Sequence, residues 1–173
     1  DLLINYSCDL QKGENILLDM IDVPDEFTVE LMRAVRAAKA TPIVEVRHSR
    51  VTREVLRDTN DKHAKLVHDI ELRRMKKMAA YIAIRGAHNA TEAADVPTEK
   101  LALYSKVLRP VQNYRVNKTK WCVLRWPTPS MAQAASMSTE VPPAFVTGYM
   151  SETSGKMRNP AVTLKPNPSE APM

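Results

Sequence analysis

Four short apolar segments, separated by stretches of helical character, constrain the fold of this 173-residue chain more than any other feature. Each has the length and the bounding turn residues of a buried strand. The predicted strands are residues 14–20, 42–46, 80–84 and 121–126. Because strands joined through helices pair in parallel and bury both sheet faces, the pattern predicts an α/β fold with an open, mainly parallel sheet of about four strands and flanking helices.

Helix signals lie between these segments. Acidic residues follow Pro24, as in the first turn of a helix. A charged helical region is predicted over residues 51–78, with a break near residues 58–61. Another helix is predicted to start near Thr98 and to end or kink before Pro110, since proline lacks a backbone donor and clashes in a helix interior.

The two ends of the chain differ from its body. Apolar spacing in residues 2–10 predicts a helix whose beginning is missing, because the chain opens on Asp1. A short Ala/Met-rich helix is predicted over residues 130–137. The last 33 residues hold six of the 12 prolines and two of the four glycines. We therefore expect one domain over residues 1–140 and an irregular, Pro-rich tail over residues 141–173.

Composition favours a soluble cytoplasmic protein. The net charge is +5, but 25 basic against 20 acidic residues make a mixed surface that does not indicate nucleic acid. Two isolated cysteines imply neither a disulfide framework nor a zinc site. No apolar stretch approaches the length of a membrane span, and the start lacks the features of a signal peptide. We expect no membrane association.

Signatures of common catalytic and cofactor sites are missing from the sequence. The four glycines are isolated, so neither dinucleotide nor ATP phosphate loops are formed. The four histidines form no HExxH pattern, and His63 and His68 are spaced so that their rings point apart on a helix. Cys122 lies inside a predicted strand, where burial makes a poor nucleophile. The sequence predicts no cofactor, metal or catalytic residue in this chain.

The densest basic region lies around residues 47–77 and could in principle follow a phosphate backbone. Intervening acidic residues dilute it, and no aromatic residues interleave for base stacking. The region is more typical of a solvated helix face. Nucleic-acid binding is therefore the weaker alternative.

Polar side chains that follow the third and fourth predicted strands form the best local candidate site. Arg85 and Asn89 follow one strand, with His88 between them; Arg125 and Gln133 follow the other, with Ser130. In an open α/β sheet, loops at the carboxyl ends of strands commonly form the ligand crevice. These residues are predicted to bind an anionic or peptidic substrate. Ordinary loop hydrogen bonding and helix capping are the alternative.

Several segments, in order, resemble the amino-terminal domain of the thermophilic metalloaminopeptidase family, which includes aminopeptidase T, aminopeptidase S and leucyl aminopeptidases of that type. The segments are LINYS (3–7), LQKGE (10–14), AYIAIR (80–85) with Asn89, DVP (95–97), KTKWCVLRWP (118–127), SMAQ (130–133) and MSTE (137–140). The resemblance covers about residues 2–140. None of the segments is a catalytic signature, but the ordered set is specific.

The resemblance implies a cytoplasmic, homodimeric exopeptidase that removes amino-terminal residues, often leucine, from peptide substrates with two divalent metal ions, zinc or cobalt. In that family the metal ligands and catalytic residues lie in a second, carboxyl-terminal domain. After Glu140 this chain departs from the family pattern, which a truncation, a frameshift or a poorly determined sequence would each explain. We expect an amino-terminal aminopeptidase domain that is inactive alone; a non-catalytic peptide- or protein-binding module is the alternative.

Overall fold

Four parallel strands form one sheet in the order β2-β1-β3-β4. They are β1 (Asn15–Ile21), β2 (Thr41–Arg47), β3 (Ala80–Arg85) and β4 (Lys120–Arg125). The computed structural model describes residues 2–134, 136 and 138. The predicted fold class, a parallel α/β sheet with flanking helices, is confirmed. The predicted tail over residues 141–173 lies outside the described residues.

Helices flank the sheet on both sides. They are α1 (Asp25–Ala37), α2 (Ser49–Arg57), α3 (Asp61–Met75), α4 (Thr98–Lys118) and the short α5 (Pro129–Ala134). A π-helical turn, Leu2–Ser7, precedes β1 where the sequence predicts a helix. The predicted break in the charged helical region separates α2 from α3. At that point the Asn60 side chain accepts a hydrogen bond from the backbone N–H of His63, which caps α3.

The sheet has two differently covered faces, because successive strand residues point to opposite sides. Even-numbered residues of β1 and β3, such as Leu18 and Ile82, pack with α1 and the π-helical turn in the larger apolar core. Odd-numbered residues, such as Leu17 and Tyr81, pack against α3 and α4 and form a second, smaller core that includes Met75. We call the second side the α3/α4 face.

The sequence predicts that the helix ends or kinks before Pro110, and the first alternative is wrong, because α4 continues through this residue. Pro110 is exposed, which lets its ring face solvent. Residues on both sides of it, including Leu108, Val111 and Tyr114, are half-buried. Packing of α4 against α3 and β4 therefore holds the helix together where the local proline rule predicts a break.

Replacing Pro110 with alanine is expected to raise the free energy of unfolding. Proline in a helix interior costs about 3 kcal/mol, of which up to about 1 kcal/mol is offset because proline restricts the unfolded chain. The net gain should therefore be about 2 kcal/mol, measured by urea unfolding followed by circular dichroism. Gln112→Ala, at an exposed position of the same helix, is the control. An unchanged or lower stability of Pro110→Ala would show that α4 has adapted to the ring.

The ends of β1 and β3 approach closely. The backbone N–H of Gly86, directly after β3, donates to the carbonyl oxygen of Ile21 at 2.7 Å. A Cβ atom on Gly86 would lie 2.3 Å from the carbonyl oxygen of Asp22. This approach lies where the chain switches from one side of β1 to the other, the position at which open α/β sheets form a ligand crevice.

Candidate functional site

A buried carboxylate, Asp19, lies on the α3/α4 face of the central strand β1. Its side chain is 5% exposed, whereas its neighbours Leu18 and Met20 point into the opposite core. The Nη2 atom of Arg47 donates to the two carboxylate oxygens at 2.6 and 2.7 Å, and its Nε donates at 3.1 Å. The Tyr81 hydroxyl donates to Oδ2 at 2.6 Å. These bonds occupy both oxygens of Asp19.

The three side chains meet because three parallel strands are in register. Glu45 of β2 is paired with Asp19, so Arg47, two residues later, lies on the same sheet face. Tyr81 of β3 is paired with Leu17, two residues before Asp19. The cluster is therefore built by the sheet itself, which fixes its geometry more rigidly than loops would.

Charge and burial set the protonation states of the cluster. Burial alone would raise the pKa of Asp19, but the Arg47 guanidinium and the Tyr81 hydroxyl lower that pKa below its ordinary value. Burial, together with the nearby Asp19 carboxylate, raises the pKa of Tyr81 to about 12. At neutral pH the cluster therefore contains a carboxylate, a guanidinium and a neutral phenol.

Two further arginines contact this cluster. Arg85 of β3 donates through Nη2 to Asp19 Oδ2 at 3.3 Å and to the Tyr81 hydroxyl oxygen at 3.2 Å. Arg115 of α4 lies over the Tyr81 ring, with its Cζ atom 4.5 Å from the ring centroid. The Nε of Arg115 is buried and has no hydrogen-bond partner among the described residues. Tyr81 thus lies between Arg85, which shares the Asp19 carboxylate with Arg47, and Arg115, which forms no ion pair among the described residues.

A cavity of about 470 Å³ opens beside these side chains, between the sheet and helices α2, α3 and α4. Small-molecule sites commonly have volumes of about 300–1000 Å³. The ionised residues that line this cavity are Asp19, Glu45, Glu71, Arg47, Arg74, Arg85 and Arg115. Its apolar lining includes Val51, Leu56, Val67, Leu108 and Val111. The cavity therefore combines one charged wall with a larger apolar surface, an arrangement suited to an amphiphilic small molecule.

Several arginines of the basic region over residues 47–77 have carboxylate partners. Arg74 donates to Glu45 and Glu71, and Arg53 donates to Asp95. These ion pairs occupy guanidinium groups that a phosphate backbone would need.

The four residues predicted to bind substrate occupy different positions. Arg85 and Arg125 are paired in register at the carboxyl ends of β3 and β4. Asn89 holds its own turn, since its Oδ1 accepts from the backbone N–H and the hydroxyl of Thr91, each at 3.0 Å. Gln133 is exposed on α5. The structure places the two arginines at paired positions of neighbouring strands, but among the described residues no hydrogen bond joins Asn89 or Gln133 to them. A role of the four in substrate binding stays a prediction.

The loop after β3 is tied to the start of α5. The Thr128 hydroxyl donates to the carbonyl oxygen of Ala87 at 2.8 Å, and the Ser130 hydroxyl donates to the same oxygen. His88, next to this carbonyl, is exposed. Ser130 therefore makes the ordinary loop hydrogen bond that the sequence offered as the alternative to ligand binding.

Sequence reasoning missed Asp19, Tyr81 and Arg115 as members of a site. One signal was present: Asp19 interrupts the apolar run LLDMI, and acidic side chains are almost never fully buried unless they are paired. A cationic partner could have been predicted from that alone. No local pattern identifies Arg115, because the apolar spacing of α4 is weak and the residue is one of several cations on that helix.

The described residues do not fit a metal site. In that part of the chain, no three His, Cys, Asp or Glu side chains lie close enough together to hold a metal ion. Asp19, the acid at the centre of the cluster, is already bonded to Arg47 and Tyr81.

No helix in the described part of the chain is both long and apolar enough to cross a membrane.

Comparisons with known proteins identify the family. The family model of the thermophilic metalloproteases (M29) matches residues 1–147. Among solved structures, wild-type AmpT from Thermus thermophilus shares the fold, with a TM-score of 0.61 and 16% sequence identity. The match covers 89% of this chain but 40% of that chain, and comparison with curated proteins gives no match. The family match extends over most of the sequence, and the chain belongs to the M29 family of thermophilic metalloproteases.

Proposed function

We propose that this chain is the amino-terminal domain of a metal-dependent aminopeptidase that removes residues such as leucine from the amino termini of peptides. The match to the metalloprotease family over residues 1–147 carries the proposal. The fold shared with AmpT supports it. Because the chain spans about 40% of the length of AmpT, the activity belongs in the proposal to the whole enzyme and not to this domain.

Members of a metalloprotease family use a metal, and we place that metal outside this chain. Two divalent ions, zinc or cobalt, would be bound by the remainder of the parent enzyme. The absence of a three-donor cluster among the described residues supports this placement. In the parent enzyme, the α/β domain would frame the cavity that receives the peptide.

We further propose a cytoplasmic parent enzyme that acts on peptides as a homodimer. Nucleic acid and membrane partners are not part of the proposal. The ion pairs of Arg53 and Arg74 support the omission of nucleic acid, because they engage two arginines of the basic region with carboxylates.

The 173-residue chain alone is expected to show no aminopeptidase activity. Leucine p-nitroanilide would be incubated with the chain and with added zinc or cobalt, and release of p-nitroaniline would be compared with a metal-only blank. AmpT from Thermus thermophilus, assayed in parallel, is the positive control. Hydrolysis at a rate near that of AmpT would overturn the placement of the metal outside this chain.

A non-catalytic peptide- or protein-binding module is the second candidate. The paired strand positions of Arg85 and Arg125 at the carboxyl ends of β3 and β4 favour it, because a guanidinium matches the geometry of a peptide carboxylate. Peptides that bind the isolated chain and lose affinity on Arg125→Ala would support this function. Arg125 is the better test than Arg85, since it is exposed and its removal leaves the buried cluster intact.

A further inference from the structure

We propose that the cavity beside Asp19 binds a small free carboxylic acid with an apolar body, and that Arg85 and Arg115 hold its carboxylate. The proposal concerns this domain alone and does not rest on the aminopeptidase function. It follows from three observations: the charges that line the cavity, the unpartnered donor of Arg115, and the apolar remainder of the lining.

The ionised groups that line the cavity carry a net positive charge. Four arginines face three carboxylates. Both oxygens of Asp19 are bonded to Arg47, and Arg74 pairs with the two glutamates, Glu45 and Glu71. Arg85 then has a single long contact to Asp19, at 3.3 Å. One anionic group would neutralise the excess charge.

A bound anion would supply the acceptor that the guanidinium of Arg115 lacks. Arg115 forms no ion pair within the described part of the chain, and its buried Nε donates to no acceptor there. A buried donor without a partner is unfavourable, and a carboxylate matches the planar fork of a guanidinium. Arg85 contacts the hydroxyl of Tyr81 and Arg115 lies over its ring, and both arginines line the cavity.

The rest of the cavity defines the body of the ligand. Its lining from α2 and α4 includes Val51, Val55, Leu108 and Val111, which favour an aliphatic group over water. The side chains of Arg47 and Arg85 are 35% and 32% exposed, so the charged wall is open to an entering molecule. The single excess charge together with this apolar lining favours a monocarboxylate over phosphate.

The probe is 4-methylpentanoate, with 4-methylpentanamide as the uncharged compound of the same shape. Isothermal titration calorimetry on the 173-residue chain should show saturable binding of the acid, at least tenfold weaker binding of the amide, and weaker binding of inorganic phosphate than of the acid. No saturable binding of the acid would overturn the proposal. Equal binding of acid and amide, or phosphate binding as tight as the acid, would overturn it as well.

Variants test the assigned residues. Arg115→Met keeps an unbranched, flexible side chain and removes the guanidinium and its charge, and it should weaken binding of the acid at least tenfold, whereas Arg115→Lys should weaken it less. Arg109→Met, at an exposed position of α4 that does not line the cavity, should bind like the wild type. Circular dichroism identifies any variant that fails to fold. A folded Arg115→Met chain with wild-type affinity would remove Arg115 from the site and overturn the proposal.

Discussion

Replacing Asp19 with alanine is expected to lower the free energy of unfolding by about 3 kcal/mol, the lower end of the range for breaking a buried ion pair. The carboxylate is 5% exposed and binds both Arg47 and Tyr81. Its removal leaves a buried hydroxyl and a guanidinium without their acceptor. The estimate is low in the range because Arg47 is 35% exposed, so water replaces part of the lost interaction. Urea unfolding followed by circular dichroism measures the change.

The matched control is Asp58→Ala. Asp58 is exposed after α2, and its replacement should change the free energy of unfolding by about 0.5 kcal/mol or less. A loss of similar size at both positions would show that the Asp19 cluster does not stabilise the fold.

The stabilisation by Asp19 should also depend on pH. An aspartate has an ordinary pKa of about 4, and the pKa of Asp19 is lower than this in the folded chain. Folding therefore favours the carboxylate over the acid. The contribution is therefore complete above pH about 4 and is lost as the pH falls through the lowered folded pKa. Asp19→Asn removes this titration, so the difference in stability between wild type and variant should shrink on acidification. A constant difference from pH about 6 to about 2 would contradict the lowered pKa.

Replacing Gly86 with alanine is expected to cost about 3 kcal/mol or more, at the upper end of the range for overpacking. The added Cβ would lie 2.3 Å from the carbonyl oxygen of Asp22 and 3.2 Å from that of Ile21. Both atoms belong to the backbone after or within β1, so they cannot rotate away as a side chain would. The strands would have to separate, which breaks the bond from Gly86 to Ile21.

Gly13→Ala is the control, because it replaces a glycine without a steric clash. Gly13 has φ +84°, but nothing lies within 4 Å of an added Cβ. Its replacement should cost about 1 kcal/mol for the left-handed backbone alone. Chemical denaturation of both variants compares the two costs. An equal or smaller loss for Gly86→Ala would show that the ends of β1 and β3 separate easily.

Strands and helices could be predicted from this sequence, but their arrangement in the sheet could not. The apolar runs at Ile16 and Ile82 locate β1 and β3, yet both read as equally buried strands, so no pattern shows that they are neighbours. The crossover that places β2 on the other side of β1 is a property of the whole fold. At Pro110 a local rule fails instead: proline disfavours a helix interior, yet α4 continues through this residue because it packs against α3 and β4.

The candidate site was harder to predict because its members are distant in sequence. The place of Arg85 after a strand predicts a site residue, and Arg85 does contact the cluster. Asp19 is not predicted by any local pattern of this kind, because its partners are 28 residues away in Arg47 and 62 residues away in Tyr81. Pairs at such separations become visible only when the register of three strands is known.

The same separations imply an order of assembly during synthesis of the chain. Closing the shorter loop costs less entropy, so β1 and β2 can pair, with Asp19 bound to Arg47, before β3 has left the ribosome. Until then the second edge of β1 stays unpaired, and this edge belongs to one of the most apolar segments of the protein. Between the emergence of β2 and the emergence of β3, the nascent chain therefore still presents one unpaired edge of an apolar strand, to which another chain or a chaperone could bind.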